Sequence, residues 1–266
     1  MRFEQFGDEL GVAVAAAEIL RETVAKRRDT RVILPAGRTP LALFKQIARL
    51  AGSGRLDLSR VRFFQLDEYV GVGPRDPRSF HSLLRRQLLD PLGRAPERDS
   101  LLDGAARDPR AEIERHSARL LQLGGADLAF LGIGTNGHIA FNEPGTAPEQ
   151  RARVVELARE TRRLASPASR RGRSPTRGIT LGMHEIRTAR RIALLATGAA
   201  KTGILAALFE EPPSVQRPAS LLLEHRDFTI LADAAAAAAL HSSVDPAGTR
   251  PRRGRAEQGR GAALRS

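Results

Sequence analysis

Residues 127–145 read Asp-Leu-Ala-Phe-Leu-Gly-Ile-Gly-Thr-Asn-Gly-His-Ile-Ala-Phe-Asn-Glu-Pro-Gly, a short apolar run followed by a turn rich in glycine. An apolar run of this length, bounded by glycine, is typical of a buried strand. In open α/β sheets, ligands bind beyond the carboxyl ends of the strands. The segment therefore predicts an α/β sheet with a ligand site directly after a strand at 127–131.

The turn after this strand carries polar groups suited to proton transfer. An imidazole, His138, is followed five residues later by a carboxylate, Glu143, and the amide of Asn136 precedes it. The spacing Gly132-x-Gly134-x-x-Gly137 also matches a dinucleotide fingerprint, but it lies mid-chain and Pro144 follows too soon for a long cofactor helix. A solvated loop histidine is the alternative interpretation. We expect catalysis on a small polar ligand, with glycines such as Gly137 allowing the ligand to approach closely.

Strands alternate with helices along the rest of the chain. Further strands are predicted at 31–34, 61–66, 191–196 and 227–231, and helices at 8–28, 39–50, 79–90, 109–123 and 199–209. This alternation is typical of a single doubly wound, mostly parallel α/β sheet with helices on both faces, as in Rossmann-like folds. We expect one domain at 1–238 and a disordered, basic tail rich in Arg and Gly at 239–266.

Composition excludes several classes of function. The chain of 266 residues contains no cysteine, which excludes disulfides, thiolate metal sites and a cysteine nucleophile; neither a metal nor a cofactor is expected. The net charge of +13 is concentrated in 150–177 and in 241–266, and it is carried almost entirely by arginine. With one Tyr and no Trp, stacking platforms are scarce, so nucleic-acid binding is not expected. No apolar run approaches a membrane span, and a cytoplasmic protein is expected.

Residues 132–145 resemble the signature of the glucosamine-6-phosphate deaminase (isomerase) family, which shares its fold with 6-phosphogluconolactonases. Segments that resemble other parts of that family follow in the same order along the chain, at 34–41, 64–71, 79–82 and 197–201. The resemblance implies an enzyme that converts an amino-sugar 6-phosphate to a ketohexose 6-phosphate and ammonia.

The resemblance also implies roles for particular residues. Asp67 would move a proton between C2 and C1 of the opened sugar, His138 would open the sugar ring, and Glu143 would orient the imidazole. At the position of Asn136, deaminases often have Asp. An amide keeps a hydrogen bond there but cannot stabilise an imidazolium by charge, which puts the rate of ring opening in question.

Three segments are candidates for binding the phosphate. Gly37-Arg38-Thr39 lies between a strand and a helix, where backbone N–H groups and the hydroxyl of Thr39 face an anion. Lys201 occupies the corresponding turn after the strand at 191–196. The resemblance implies a third candidate, because the family has a phosphate-binding arginine in the region that matches 165–175 of this chain. Spacing does not choose among Arg170, Arg171 and Arg173, and the alternative interpretation of this segment is a solvated basic loop.

Other functions stay open at this point. Galactosamine 6-phosphate is an alternative substrate, because the two sugars differ in the stereochemistry of one hydroxyl. In 6-phosphogluconolactonases, Gly-His is typically followed by Thr-Ala-Ser-Leu-Phe-Pro, whereas Ile139-Ala-Phe-Asn-Glu-Pro follows here and favours the deaminase. A catalytically silent sugar-phosphate sensor is a further alternative. Assembly into a homo-oligomer is compatible with the sequence.

Overall fold

The computed structural model describes residues 1–95, 99–159, 161–162 and 174–240. The strands in these residues are β1 (Arg2–Phe6), β2 (Arg31–Leu34), β3 (Arg62–Gln65), β4 (Asp67–Tyr69), β5 (Leu128–Gly132), β6 (Arg153–Glu156), β7 (Arg177–Thr180), β8 (Arg191–Ala196) and β9 (Phe228–Asp233). The helices are α1 (Glu9–Lys26), α2 (Pro40–Gly52), α3 (Phe80–Leu84), α4 (Pro109–Gln122), α5 (Met183–Arg187) and α6 (Thr202–Glu210). A π-helical turn at Arg85–Leu89 continues α3, and 3₁₀ turns form at Ala199–Lys201 and Pro218–Leu222.

Six strands form one sheet in the order β3-β2-β5-β8-β9-β1, and every neighbouring pair is parallel. Strands buried on both faces need apolar side chains at successive positions, and the β5 sequence Leu-Ala-Phe-Leu meets this need. Leu128 and Phe130 pack into one hydrophobic cluster, whereas Ala129 and Leu131 pack into another. The sheet thus divides the core into two layers, and the predicted doubly wound α/β fold is confirmed.

Helices cover both faces of this sheet. Apolar residues of α1 and α2 pack into one cluster, and those of α4, α5 and α6 pack into the other. Local signals begin several of these helices: the Asp8 side chain accepts a hydrogen bond from Gly11 N, and Asp108 accepts bonds from Arg110 N and Ala111 N. No helix of the described residues is both long and apolar enough to cross a lipid bilayer.

A second sheet, which the sequence analysis does not predict, lies beyond the carboxyl end of β3. It is three-stranded and antiparallel, in the order β4-β7-β6. Asp67 was expected immediately after a strand; β3 ends at Gln65 and Asp67 is the first residue of β4. The strands of this sheet are only three or four residues long, too short for a reliable alternation of apolar and polar residues.

The order in which strands are added to the large sheet reverses between the parallel neighbours β2 and β5. From β2 the chain continues outward to β3, and from β5 it continues outward in the opposite direction to β8. The loops that follow β2 and β5 therefore diverge and leave a crevice between them, the position where this class of sheet binds ligands. The predicted phosphate loop at 37–39 and the histidine loop at 132–145 are these two loops.

The remaining predicted elements are present with small changes. The helix predicted at 79–90 is divided into α3 and the π-helical turn, and the one at 199–209 begins with a 3₁₀ turn. Strand β1, at the edge of the sheet, is not predicted by the sequence. Of the tail predicted at 239–266, the first two residues are described, and Leu240 is buried in the hydrophobic core rather than part of a tail; residues 241–266 lie outside the described residues.

Candidate active site

Asp67 is a buried carboxylate in an environment that disfavours its charge. Its residue surface is 6% exposed, and no described residue donates a hydrogen bond to its side chain. Burial raises the pKa of Asp67 to about 8, and the neighbouring negative charge of Glu68 adds to the effect. A carboxylate of this basicity is suited to act as a general base near neutral pH.

The imidazole of His138 packs directly against the backbone of Gly134. A Cβ atom added at Gly134 would lie 2.4 Å from Cε1 and 2.5 Å from Nδ1 of the ring. Nδ1 lies 3.3 Å from Oε2 of Glu143, within ion-pair distance but without the alignment of a hydrogen bond. The other ring nitrogen, Nε2, has no partner among the described residues and is available to a ligand.

Glu143 and Asn136 form a bonded pair beside this ring. Asn136 Nδ2 donates to Oε2 of Glu143 at 2.9 Å, and Asn136 Oδ1 accepts a bond from the backbone N–H of His138 at 3.1 Å. Thr161 Oγ1 donates to the other oxygen of Glu143 at 2.9 Å. Burial opposes ionisation of Glu143, but His138, Asn136 and Thr161 together outweigh it and lower its pKa. An ionised Glu143 is the form that stabilises a protonated His138.

The second sheet joins the histidine loop to the strand of Asp67. Asp67 lies opposite Thr180 in the pairing of β4 with β7, and the buried amide of Asn142 donates to the carbonyl of Leu181, the next residue. The ring of Phe141 packs on Gly178 and lies 5.4 Å from the ring of Tyr69. These contacts hold Asp67 and the histidine loop in one rigid unit.

The loop after β2 leads into the N-terminus of α2. Gly37 has a φ of 105°, which favours glycine, and Pro40 is the first residue of α2. Thr39 makes no capping hydrogen bond with its side chain, and the side chain of Arg38 is exposed. Pro40 has no N–H and the N–H of Leu41 donates to the carbonyl of Arg38 at 3.2 Å, so the groups available to an anion are the N–H groups of the turn at 37–39 and the hydroxyl of Thr39.

Lys201 ends the 3₁₀ turn that follows β8. Its side chain is half-buried and has no carboxylate partner among the described residues, and burial lowers its pKa. The turn before it is held by Asp233 at the end of β9, which accepts a bond from Gly198 N at 2.9 Å. An uncompensated ammonium at the carboxyl edge of the sheet attracts an anion such as a phosphate.

Arg170, Arg171 and Arg173 lie outside the described residues, so their part in phosphate binding stays a prediction. Two open clefts, of about 610 and 520 Å³, lie before β8 and β9, at the opposite edge of the sheet. Neither is lined by a predicted site residue. Among the described residues, no cluster of His, Asp and Glu side chains has the arrangement of a metal site.

Comparison with known proteins identifies the family of the chain. A family model described as glucosamine-6-phosphate isomerases/6-phosphogluconolactonase matches residues 9–231. The chain belongs to this family. It is 38% identical over 223 residues to the glucosamine-6-phosphate deaminase of Bacillus velezensis, an alignment that covers 84% of this chain and 92% of the relative.

Solved structures of the family agree. The structure of a monomeric glucosamine-6-phosphate deaminase superposes with a TM-score of 0.84 at 33% identity, covering 90% of this chain and all of that one. A 6-phosphogluconolactonase from Leishmania guyanensis has a TM-score of 0.70 at 20% identity over 88% of this chain and 97% of its own, and therefore shares the fold.

Sequence reasoning missed two residues of this family member's site. Thr161 bonds to Glu143, and Glu68 is buried beside Asp67. Thr161 lies eighteen positions from Glu143, so no local spacing connects the two. Glu68 is only weakly indicated by the sequence, because acidic residues are seldom fully buried unless they are paired, and two of them in a row directly after an apolar strand are therefore unusual.

Proposed function

We propose that this protein is a glucosamine-6-phosphate deaminase, which converts glucosamine 6-phosphate and water to fructose 6-phosphate and ammonia. One observation carries the proposal: the small sheet connects two groups suited to proton transfer at the ligand edge of the fold. The first is the buried carboxylate of Asp67, which accepts no hydrogen bond from a described residue, and the second is the imidazole–carboxylate pair of His138 and Glu143. The reaction needs a base for carbon-bound protons and a separate group that exchanges protons with ring oxygens.

The sugar phosphate would be held by its phosphate group. The N-terminus of α2 with Gly37, Arg38 and Thr39 offers N–H groups and a hydroxyl, and Lys201 offers a charge without a partner among the described residues. These groups follow β2 and β8, on either side of the histidine loop after β5. The phosphate would therefore fix one end of the substrate while the amino sugar extends toward Asp67.

Ring opening would fall to His138. Its Nε2 would take the proton of the anomeric hydroxyl and return a proton to the ring oxygen, which breaks the bond between C1 and that oxygen and leaves an aldehyde. Glu143, ionised and bonded to Asn136 and Thr161, stabilises the imidazolium formed in between. The charge that Asn136 lacks is thus supplied by Glu143.

Asp67 would then act on the open chain. Its carboxylate takes the proton from C2 while the aldehyde oxygen at C1 gains a proton, which gives an enolamine; the same group then returns its proton to C1 as the amine nitrogen loses one. The product is an imine at C2, which water hydrolyses to the ketone with release of ammonia. A desolvated carboxylate with a pKa of about 8 holds the transferred proton without losing it to solvent.

The family match favours glucosamine over galactosamine 6-phosphate, because the relatives of more than 30% identity described above are glucosamine-6-phosphate deaminases. The lactonase of 20% identity supports the fold alone. A cytoplasmic location and a homo-oligomer stay predictions; the solved deaminase of the comparison is described as monomeric.

The test is a set of turnover assays with glucosamine 6-phosphate, galactosamine 6-phosphate and 6-phosphogluconolactone, in which ammonia and ketohexose phosphate are measured. We expect both products from glucosamine 6-phosphate, and loss of turnover by at least about 10³-fold in Asp67→Asn. Absence of ammonia from both amino sugars would refute the proposal and leave a binding protein.

Folding of the Asp67→Asn variant serves as the control. The pKa of Asp67 is raised in the folded protein, so its charge costs stability as pH rises from 3.8 toward 8. Removing the charge should therefore raise the free energy of unfolding at pH 7 by about 2–4 kcal/mol. A variant that is inactive and more stable assigns the loss to chemistry rather than to misfolding.

A further inference from the structure

Glu68 is the most completely bonded carboxylate near the active site. Its side chain is fully buried and accepts five hydrogen bonds, from three backbone N–H groups, one hydroxyl and one side-chain amide. Oε1 accepts from the N–H of Tyr69 at 2.8 Å and of Phe80 at 3.2 Å. Oε2 accepts from Ser79 Oγ and His81 N at 2.8 Å each, and from Gln65 Nε2 at 3.2 Å. Burial raises the pKa of Glu68, whereas the hydrogen bonds from His81, Ser79, Tyr69 and Phe80 lower it and favour the ionised form of this carboxyl.

The adjacent residue has the opposite environment. Asp67 is buried without any donor to its side chain among the described residues, and only its backbone carbonyl is bonded, by Gln65 Nε2 at 2.7 Å. Two neighbouring carboxyls in a site of low polarity do not both ionise readily, and the one with donors keeps the charge. The proton of the pair therefore resides on Asp67.

We propose that Glu68 is a positioning residue, a permanently ionised carboxylate that keeps Asp67 basic and fixes the backbone from which Asp67 projects. The segment Ser79-Phe80-His81, which begins α3, serves in this view to hold the anion. The inference rests on the proposed function, since it assigns to Asp67 the role of the base. Glu68 itself does not touch the substrate.

No other charge competes for this role among the described residues. Tyr69 is neutral, since burial and the two carboxylates raise its pKa. Burial also lowers the pKa of His81 and, to about 4, that of His116, which contacts the carbonyl of Gln65. Two arginines belong to the other strands of the small sheet. Arg177 begins β7, next to β4, and its side chain is exposed; Arg153 lies on β6, two strands from Asp67, and its guanidinium donates to Asn142. On the π-helical turn, Arg85 faces His81 and bonds to Asp90.

Gly104 and Asp103 close the remaining side. A Cβ atom at Gly104 would lie 3.0 Å from Cγ of Glu68, so the backbone of this loop covers the carboxylate stem. The N–H of Asp103 donates to Glu112 on α4, which pairs with Arg115. The carboxylates of Asp103 and Glu112 act on His81 through charge and make no direct contact with Glu68.

The first test requires no substrate and therefore stands apart from the proposed function. Wild-type protein is labelled with ¹³C at the carboxyls of aspartate alone or of glutamate alone, and each sample is titrated by NMR. We expect one aspartate carboxyl with a midpoint near pH 8, absent in Asp67→Asn, and no glutamate that titrates above pH 6. A glutamate that stays protonated above pH 7 and disappears in Glu68→Gln would overturn the proposal, as would an Asp67 that ionises near pH 4.

The second test is kinetic. In Glu68→Gln, Asp67 loses its neighbouring charge, so the acidic limb of the pH profile of kcat/KM should move to lower pH by about one unit or more, with KM little changed. Ser79→Ala is the matched control, because it weakens the same helix start but keeps the charge. The acidic limb of the kcat/KM profile should not move in Ser79→Ala. An unmoved limb in Glu68→Gln, or an equal shift in both variants, would mean a structural role only; if Glu68→Gln does not fold, the titration of the wild type decides.

Discussion

Gly132 and Gly134 lie two positions apart in the histidine loop and have different constraints. A Cβ atom at Gly132 would meet nothing within 4 Å, whereas one at Gly134 would lie within 2.6 Å of three atoms of the His138 ring. Neither residue has a positive φ, so the difference is one of space and not of backbone strain. At the scale of one residue, the position of the imidazole depends on a missing methyl group.

This contrast gives a prediction at the residue scale. In Gly134→Ala the imidazole must move by an ångström or more, and kcat should fall on the order of 10²-fold. Gly132→Ala is the matched control and should keep kcat within about twofold. Steady-state kinetics of both variants check the prediction, and a Gly134→Ala variant with the activity of the wild type would show that His138 is not held where the reaction needs it.

At the scale of elements, the turn between α6 and β9 braces the histidine loop at two points. The N–H of Ala219 donates to the carbonyl of Gly137 at 2.9 Å, and the N–H of Gly145 donates to the carbonyl of Val215 at 2.8 Å. The buried hydroxyl of Ser220 closes this turn, since it accepts a bond from Ser214 N at 2.8 Å and donates to Arg217 O at 2.7 Å. This turn, which carries none of the predicted site residues, thus helps to set the shape of the histidine loop.

Ser220→Ala tests the brace. It leaves the N–H of Ser214 without its partner, which should lower the free energy of unfolding by about 1–3 kcal/mol, and we expect kcat to fall about tenfold through loss of loop position. Ser53→Ala, which removes a hydroxyl bond to Leu50 at the far end of α2, is the control and should keep kcat unchanged. Thermal unfolding and kinetics measure the two effects; equal kcat in both variants would contradict the brace.

At the scale of the whole molecule, two of the buried titratable groups among the described residues, Asp67 and His116, have opposite effects on stability. His116 on α4 is fully buried and neutral, with Nε2 bonded to Gln65 O and Nδ1 to Ser100 Oγ. Its pKa falls from 6.5 to about 4 in the folded protein, so the unfolded chain binds the proton more readily. His116 therefore lowers stability as pH falls from 6.5 to 4, whereas the charge of Asp67 lowers stability as pH rises from 3.8 to 8.

The two effects are separable. In the Asp67→Asn background, the free energy of unfolding should fall by about 3 kcal/mol between pH 6.5 and 4 through His116. Asp67→Asn combined with His116→Gln should be less stable at pH 7 but lack this part of the slope. Urea denaturation across the pH range measures both. A slope that persists unchanged in the double variant would assign acid sensitivity to other groups.

The sequence by itself determined the alternation of strands and helices and indicated the loops of the candidate site. Apolar runs such as 128–131 and caps such as Asp8 and Asp108 act within a few residues, and five ordered segments sufficed to indicate the family. Strand β1 and the short strands of the second sheet were not predicted. Pairing with strands distant in the chain stabilises them, rather than an alternation of apolar and polar residues in their own sequence.

Only the tertiary structure decided what the two carboxyls at 67–68 do. In the sequence they are equivalent acidic residues after a strand. In the fold, Glu68 meets five donors from β3, β4 and the start of α3, whereas Asp67 meets none among the described residues. Basicity depends on desolvation and on hydrogen bonds from residues remote in the chain, which no local pattern encodes. The sequence therefore indicated the candidate site, and only the fold distinguishes the two carboxyls.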